Sequence, residues 1–234
     1  MSEQRVALVT GANRGIGLEV CRQLAGRGLR VVLTARDPNK GQAAADGLIA
    51  NGLDVTFLPL DVSDPAAAEA ARVWVEGRYG RLDVLVNNAA VYLDDNVSIF
   101  DVPLSTFDKT LAANLYGPLH LCRAFVPGMR QRGYGRVVNV SSESGQLSTM
   151  GGYTAAYAIS KTALNGLTRV VAAEAGQAVK VNAVCPGWVR TDMGGPNADV
   201  DVGTSIAGLR RVISDAPAFP GGCFYDYRGQ SLAW

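Results

Sequence analysis

The sequence predicts an α/β protein built on a doubly wound parallel sheet of about seven strands, with helices on both faces. Short runs rich in β-branched residues alternate with longer alanine-rich stretches, as expected of repeated βαβ units. Most of these runs are continuously apolar, which indicates strands covered on both faces. No internal repeat, low-complexity tract or linker interrupts the 234 residues. We therefore expect one three-layer α/β/α domain over residues 1–234.

The elements follow in chain order. The predicted strands are residues 6–9, 31–34, 55–60, 82–86, 137–140, 179–184 and 223–225. The predicted helices are residues 16–27, 40–51, 65–79, 106–131 and 153–175. Pro65 directly after Asp64 is a favourable helix start. The glycine-rich segment 194–203 is predicted to be the least structured interior segment, either a loop over a substrate pocket or a surface connection.

Composition narrows the class of protein. The 22 basic and 21 acidic residues give a net charge of +1, so no excess field recruits nucleic acid or an anionic membrane. No apolar stretch approaches the roughly 18 residues of a membrane span, and residues 1–5 are too polar for a signal peptide. We expect a cytoplasmic protein. The four cysteines, Cys21, Cys122, Cys185 and Cys223, are not at metal-ligand spacing from one another or from the single histidine, His120. We therefore expect no metal site, and we expect the cysteines to be reduced, buried thiols.

The motif T-G-A-N-R-G-I-G at residues 10–17 follows the first predicted strand. Gly11, Gly15 and Gly17 permit a tight turn, close approach of the backbone to a pyrophosphate, and close helix packing. The helix that opens near Ile16 would offer unpaired N–H groups and its positive end to phosphates. This strand–turn–helix context predicts a Rossmann-like dinucleotide site.

The end of the second strand discriminates between the two nicotinamide cofactors. Ala35 stands where an acid would bind the adenosine ribose of NAD, and Arg36 follows, where an arginine would pair with a 2′-phosphate. Arg14 and Lys40 add positive charge, while Asp37 reduces it but suits a helix cap. NADP(H) is favoured; the alternative is that these cations form only a solvated surface.

Tyr157 and Lys161 in Y-A-I-S-K lie four residues apart, and on a helix they share a face. An ammonium group near a phenol favours phenolate, so it lowers a tyrosine pKa of about 10 toward a range useful for proton transfer. This spacing occurs by chance in many helices. The pair therefore needs a second observation.

Ser142 provides that observation, since it follows the predicted strand 137–140. A hydroxyl at the carboxyl end of such a strand points into the crevice where open α/β sheets bind ligands. It could donate a hydrogen bond to a substrate carbonyl oxygen. Ser144 is a rival for this role. Asn114 falls within a predicted long helix, where asparagine is a mediocre former, so its side chain either binds backbone or water or lies on the surface.

These residues together resemble the single-domain short-chain dehydrogenase/reductase family, and most closely its NADPH-dependent carbonyl reductase branch. The resemblance covers nearly the whole chain, and the order and spacing of its motifs make it specific. The matching motifs are T-G-A-N-R-G-I-G, L-D-V at 60–62, N-N-A-A at 87–90, Asn114, Ser142, Y-A-I-S-K and P-G-W-V-R-T-D-M at 186–193. Residues 31–44 resemble the reductase branch in particular.

The resemblance implies roles for these residues. Tyr157 would be the general acid/base, Ser142 would orient the carbonyl, Lys161 would lower the tyrosine pKa and hold the nicotinamide ribose, and Asn114 would position a relay water. The implied cofactor site comprises Gly11, Asn13, Arg14, Gly15, Ile16 and Gly17 in the turn, Arg36 and Lys40 at the 2′-phosphate, Asp61 and Val62 at the adenine, Asn88 and Ala89 on the adenosine side, Tyr157 and Lys161, and Pro186, Gly187, Val189 and Thr191 at the carboxamide.

Three departures from the family pattern stand out. Ala90 replaces a usual glycine, which would restrict the backbone if a positive φ were needed there. The 15-residue interval from Ser142 to Tyr157 is longer than usual, and S-x-x-G favours Ser142 over Ser144. The segment after Met193 is short, which predicts a small or partly open lid.

The predicted activity is reversible hydride transfer between NADPH and a ketone or aldehyde, with reduction favoured. The alternatives are an NAD-preferring alcohol dehydrogenase and a non-catalytic dinucleotide-binding sensor. The substrate would be a small carbonyl or alcohol compound of unidentified structure, and fold does not fix it. Candidate pocket residues are Tyr92, Leu93, Glu143, Gln146, Met150, Tyr153, Trp188 and Met193. The resemblance leaves open both a homo-oligomer, paired through the two long helices, and a monomer.

Overall fold

A computed structural model describes residues 4–213 and 219–234 of the chain. Within them, seven strands form one parallel sheet in the order β3-β2-β1-β4-β5-β6-β7, which confirms the predicted α/β fold. The elements are β1 Val6–Val9, α1 Gly15–Ala25, β2 Arg30–Ala35, α2 Pro38–Ile49, β3 Val55–Pro59, α3 Pro65–Tyr79, β4 Val84–Asn87, α4 Leu104–Leu111, α5 Gly117–Gln131, β5 Gly135–Val140, α6 Ala155–Ala175, β6 Val179–Cys185, α7 Val202–Ile213 and β7 Phe224–Asp226.

The sheet is buried on both faces, which explains the continuously apolar strands. Val31 and Leu33 of β2 belong to one apolar cluster, on the side of α1, α2 and α7. Val32, between them, belongs to the other cluster, on the side of α3 and α5. Alternate residues of a strand point to opposite faces, so a strand covered on both sides is apolar at most of its positions.

The predicted helix 106–131 is in fact interrupted. It comprises α4, a π-helical turn at Ala112–Tyr116, and α5. Each residue of a π turn adds width to the helix, and such turns are frequent at functional sites. Asn114 lies in the middle of this one. Periodicity alone did not indicate the interruption, because the apolar residues continue on both sides of it.

Two further predictions about helices need correction. Helix α6 begins at Ala155 rather than at residue 153, because Tyr153 has a φ of +64° and cannot belong to a right-handed helix. Helix α7 was not predicted, and it begins inside the segment predicted to be the least structured. Its signals were present: Asp201 accepts a hydrogen bond from the amide of Thr204 at 2.9 Å, and apolar residues recur at helical spacing.

The order of the strands places the site. The chain winds outward in one direction from β1 and in the other from β4, so the connections diverge between these two neighbouring strands. Ligands of open α/β sheets bind in the crevice that such a reversal leaves beyond the carboxyl ends of the strands. The loops that follow β1, β4, β5 and β6 all leave from this edge. In the part of the chain that the structure describes, no helix combines the length and the apolarity needed to cross a bilayer.

Candidate functional site

A cleft of about 640 Å³ opens at this edge of the sheet, between the glycine turn and the loop of residues 186–194. It brings together most of the predicted site residues: Gly11, Arg14, Gly15, Ile16, Asn88, Ala89, Ser142, Tyr157, Lys161, Pro186, Gly187, Val189 and Thr191. The other predicted residues lie outside the lining of this cleft: Asn13, Gly17, Arg36, Lys40, Asp61, Val62 and Asn114.

The glycine turn is as compact as the motif predicts. Gly11 has a φ of +61°, and a Cβ there would lie 2.8 Å from the Cα of Ala89. A Cβ on Gly17 would lie 2.6 Å from Nδ2 of the Asn88 side chain. Helix α1 begins at Gly15, and no side chain caps its first turn. Unpaired N–H groups at a helix start that lines a cleft suit the phosphates of a dinucleotide.

Thr10 braces this turn, a role that the sequence analysis did not assign. Its hydroxyl accepts hydrogen bonds from the amides of Asn88 and Ala89, both at 3.0 Å. The Asn88 side chain donates to the carbonyls of Thr10 and Gly11 at 2.8 and 3.1 Å. Asn88 therefore ties the end of β4 to the glycine turn. The sequence does hold a signal for this link. Thr10 and Asn88 are polar residues that directly follow two apolar strands, β1 and β4, and these strands are neighbours in the sheet.

The three predicted cations differ in their surroundings. Arg36 is exposed immediately after β2, and Lys40 is exposed in the first turn of α2, with its Nζ 3.9 Å from Asp37. Asp37 caps α2 by accepting from the amide of Lys40, as predicted. Arg14 instead forms an exposed ion pair with Asp192 on the opposite wall of the cleft.

The residues predicted to hold the adenine lie apart from the cleft. Asp61 accepts hydrogen bonds from the amide and the hydroxyl of Ser63, at 3.0 and 2.7 Å, so its carboxylate is engaged within its own loop. Val62 packs against the start of α5, where a Cβ on Gly117 would lie 2.9 Å from the Val62 Cβ. Both residues follow β3 and shape the surface beside β2.

Tyr157 and Lys161 face the same cleft from α6. The Lys161 ammonium lies 5.6 Å from the centre of the Tyr157 ring and donates to the Val140 carbonyl at 2.8 Å. Burial raises the pKa of Tyr157 to about 12, although a hydrogen bond with Ser142 acts in the opposite direction. Burial also lowers the pKa of Lys161 to about 8. The net direction is opposite to the predicted lowering because desolvation outweighs the neighbouring groups, and the role predicted for Lys161 stays a prediction.

The two candidate serines are not equivalent. Both line the cleft, but Ser142 is the one whose hydroxyl acts on the Tyr157 phenol and favours a lower pKa. The Ser142 hydroxyl also accepts from the amide of Ser144 at 3.1 Å, which starts a short 3₁₀ turn at Glu143–Gly145. Gly145 lies against α6, where a Cβ would be 2.8 Å from the Lys161 carbonyl carbon. The S-x-x-G pattern thus brings the serine loop close to the lysine.

Asn114 is buried, so the surface alternative is wrong and the backbone-binding alternative is confirmed. Its side chain accepts from the amide of Val91 at 2.8 Å and donates to the Val91 carbonyl at 3.0 Å. It also donates to the Ser160 hydroxyl at 3.0 Å. Both N–H groups of the amide are therefore used. A relay water would have to bind a remaining oxygen lone pair or the main chain.

The wall opposite the glycine turn is mixed aromatic and apolar. Of the predicted pocket residues, Tyr92, Glu143, Trp188 and Met193 line the cleft, whereas Leu93, Gln146, Met150 and Tyr153 do not. The Tyr92 ring lies 4.7 Å from that of Tyr157, at an angle of 52°. Gln146 is buried and donates to the Ala233 carbonyl instead.

The replacement of glycine by Ala90 carries no backbone penalty. Among the described non-glycine residues, only Asn96 and Tyr153 have positive φ. Ala90 lines the cleft with ordinary backbone geometry.

Comparisons with known proteins agree with this geometry. A family model described as short chain dehydrogenase matches residues 5–200. The chain is 34% identical to (+)-neomenthol dehydrogenase of Arabidopsis thaliana, with 95% of this chain and 96% of that protein covered. It is 37% identical to an NADPH carbonyl reductase of Sus scrofa, with 84% and 82% covered.

A solved structure shows the same architecture. The NADPH-bound carbonyl reductase from chicken fatty liver superposes with a TM-score of 0.88 at 33% identity, covering 99% of this chain and all of that one. The family match spans most of the chain, and the relatives align over most of their own lengths. The chain therefore belongs to the short-chain dehydrogenase/reductase family of oxidoreductases.

Proposed function

We propose that this chain is a single catalytic domain that uses NADPH to reduce a ketone or aldehyde to the alcohol, in a reversible reaction. The observation that carries the proposal is the convergence of Tyr157, Ser142 and Lys161 on the cleft that the glycine turn lines. The similarity to carbonyl reductases supports the same reaction class.

The phenol of Tyr157 is the proposed proton donor. Because its pKa is raised to about 12, it stays protonated at neutral pH, which suits the reductive direction. Ser142, which bonds with this phenol, is placed to donate a hydrogen bond to the substrate oxygen and hold it near Tyr157. The bound nicotinamide would supply the hydride.

Lys161 has two proposed tasks, to bind the nicotinamide ribose and to favour loss of the Tyr157 proton. It is buried one turn beyond Tyr157 and is held by the Val140 carbonyl. With its pKa lowered to about 8, its charge responds to small changes in surroundings near neutral pH. Asn114 is the proposed holder of a water that connects Lys161 to solvent, through the part of its amide that Val91 and Ser160 leave available.

The proposed cofactor is NADP(H). Ala35 at the end of β2 offers no carboxylate to a ribose, while Arg36 and Lys40 lie exposed beside it, where a 2′-phosphate would be paired. Arg14 would bind the same phosphate or the pyrophosphate after leaving Asp192. Pro186, Gly187, Val189 and Thr191 are the proposed neighbours of the carboxamide.

The central experiment replaces the phenol. With a carbonyl compound that the wild type reduces, Tyr157→Phe should lower the rate of NADPH oxidation about a hundredfold or more. This loss is within the range of general acid catalysis. Tyr153→Phe is the matched control, since Tyr153 lies four residues earlier and is exposed outside the cleft. NADPH binding by fluorescence should be retained in both. Wild-type turnover by Tyr157→Phe would refute the mechanism.

Cofactor choice has its own test. Arg36→Asp should reverse or strongly reduce the preference for NADPH over NADH, because a carboxylate repels the 2′-phosphate and can bind a ribose. Arg27→Asp, at an exposed turn after α1, makes the same charge change elsewhere. An unchanged preference in Arg36→Asp would favour the alternative, an NAD-preferring alcohol dehydrogenase in which Arg36 is only a surface cation.

A further inference from the structure

We propose that Asp94 is a positioning residue for the proton donor. It lies in the loop after β4, and it binds the first turn of α6 through two main-chain amides. Its Oδ2 accepts from the amide of Ala156 at 2.6 Å, and its Oδ1 accepts from the amide of Tyr157 itself at 3.3 Å. The residue has no exposed surface. A buried carboxylate is thus one hydrogen bond from the backbone of the catalytic tyrosine. This inference rests on the proposed role of Tyr157.

Helix α6 lacks a cap of its own. Thr154, at the usual capping position, makes no side-chain hydrogen bond to the first turn and has a non-helical backbone. Ala156 is fully buried, so without Asp94 its amide would have neither water nor an acceptor. A carboxylate at this point satisfies the amides and also complements the positive end of the helix.

The chain reaches α6 in a strained conformation that the same loop restrains. Tyr153 has a φ of +64°, a region that non-glycine residues rarely adopt. Its carbonyl accepts from the amide of Val97 at 3.2 Å, three residues beyond Asp94. Asp94 and Val97 therefore hold the start of the helix at two points, on either side of Ala155.

The loop that carries Asp94 is itself anchored by the π-helical turn. The Asn114 side chain binds both the amide and the carbonyl of Val91, as described above. Tyr92, next in the chain, packs its ring on Tyr157. The loop is thus positioned by the π-helical turn through Val91, and the Asp94 carboxylate transmits that position to the tyrosine. Proper placement of a donor within a fraction of an ångström matters greatly to rate.

Lys161 is held independently of Asp94. Its ammonium is bound to the Val140 carbonyl, and its backbone packs against Gly145. Loss of Asp94 should therefore displace the first turn of α6, with Tyr157, more than the second turn, with Lys161. The expected consequence is slower proton transfer with cofactor binding retained, because no group that would touch the cofactor is removed.

The test compares Asp94→Ala and Asp94→Asn with Asp64→Ala. Asp64 caps α3 by accepting from the amide of Ala66 at 2.9 Å, so its removal is also the loss of a helix cap but outside the cleft. For a carbonyl compound that the wild type reduces, Asp94→Ala should lower kcat by about tenfold to a hundredfold. The NADPH Kd and the substrate KM should stay within about twofold. Asp94→Asn should recover part of the rate, because its amide oxygen still accepts from Ala156.

Asp64→Ala should keep kcat within about twofold of wild type while lowering Tm, as expected of a lost cap. Wild-type kcat in Asp94→Ala would overturn the proposal, and so would a loss of kcat no larger than the loss of folded protein seen by circular dichroism. If Asp94→Ala does not fold, Asp94→Asn decides, since it should lower kcat measurably without changing the NADPH Kd. A fully active Tyr157→Phe would instead refute the proposed function, whatever Asp94 does.

Discussion

The two walls of the cleft are built in different ways. On the wall of the glycine turn, Gly11 lies close to the backbone of Ala89, and four hydrogen bonds involving Thr10 or Asn88 surround it. On the opposite wall, residues 186–194, the side chains of Trp188 and Met193 are 54% and 48% exposed. That wall is held by two main-chain bonds to Val200 and by side-chain bonds such as that from the Trp188 indole to the Gly194 carbonyl.

This difference indicates a division of tasks. A wall of close backbone contacts and partly buried hydrogen bonds has one geometry, which suits the invariant phosphates of a cofactor. On the wall of half-exposed side chains, a side chain can be replaced without disturbing the fold. Such a wall is suited to binding a substrate, because its side chains can match one substrate or another. Changes on the first wall should therefore alter stability and cofactor binding together, whereas changes on the second should alter binding alone.

The largest expected effect is that of Gly11→Ala. The new Cβ would clash with Ala89, and the residue would be held at a positive φ. Overpacking costs about 1–3 kcal/mol, and a left-handed backbone costs about 1–2 kcal/mol more. Urea unfolding should show the loss, and NADPH binding should weaken at least tenfold, about 1.4 kcal/mol.

Gly28→Ala separates the two causes. Gly28 also has a positive φ, +85°, but a Cβ there would meet nothing within 4 Å among the described residues. Gly28→Ala should therefore lower the free energy of unfolding only by the cost of the left-handed backbone, and it should leave NADPH binding unchanged. Equal destabilisation by the two substitutions would show that the close approach to Ala89 is unimportant.

Lys161, on the floor between the walls, should reduce the stability of the free protein. Its folded pKa is lowered to about 8 from 10.5, so the unfolded state holds more protons between these values. The free energy of unfolding should therefore rise with pH across this window, by up to about 1.4 kcal/mol per unit. Below pH 8 the penalty for the buried ammonium is fully present.

Lys161→Met should remove this rise and unfold at a higher urea concentration at pH 7, while losing activity. Lys109→Met, an exposed lysine on α4, is the control and should keep the wild-type profile. A profile that is the same in Lys161→Met and wild type would mean that the ammonium is well solvated.

Thr10→Val should have the next largest effect. It is nearly isosteric, but it leaves the amide of Ala89 without its acceptor, while the amide of Asn88 keeps the Val86 carbonyl at 3.1 Å. An unsatisfied amide costs about 1–3 kcal/mol where water cannot reach it, and this one is partly shielded. Unfolding free energy and NADPH affinity should fall together. Thr34→Val is the control: that hydroxyl is equally buried but only donates, to the Val9 carbonyl, so no amide depends on it.

The fold could be predicted from the sequence because its elements are determined by residues that lie close together in the chain. Continuously apolar runs exist where both sheet faces are covered, and Asp64-Pro65 starts a helix wherever it lies, so α3 matches its predicted bounds. The glycine turn and the tyrosine–lysine pair were predictable for the same reason, since each motif has its chemistry within one turn or one helix.

The remaining features depend on contacts between distant segments. Nothing near Asp94 in the sequence indicates that it caps α6, because its acceptor role joins residues 62 positions apart. The π-helical turn around Asn114 is specified by Val91 and Ser160, which bind its side chain from a loop and from another helix. The raised pKa of Tyr157 likewise follows from burial, which neighbours in sequence do not determine.

The smallest expected effect tests the ion pair between the walls. Asp192→Asn releases Arg14, and an exposed pair is worth at most about 1 kcal/mol, so stability should hardly change. If Arg14 binds a cofactor phosphate, NADPH should bind a few-fold more tightly, and the gain should shrink at high salt. Asp54→Asn breaks an exposed pair with Arg30 outside the cleft and should leave NADPH binding unchanged. Weaker binding in Asp192→Asn would instead make Asp192 part of the cofactor site, and the two walls would then share one task.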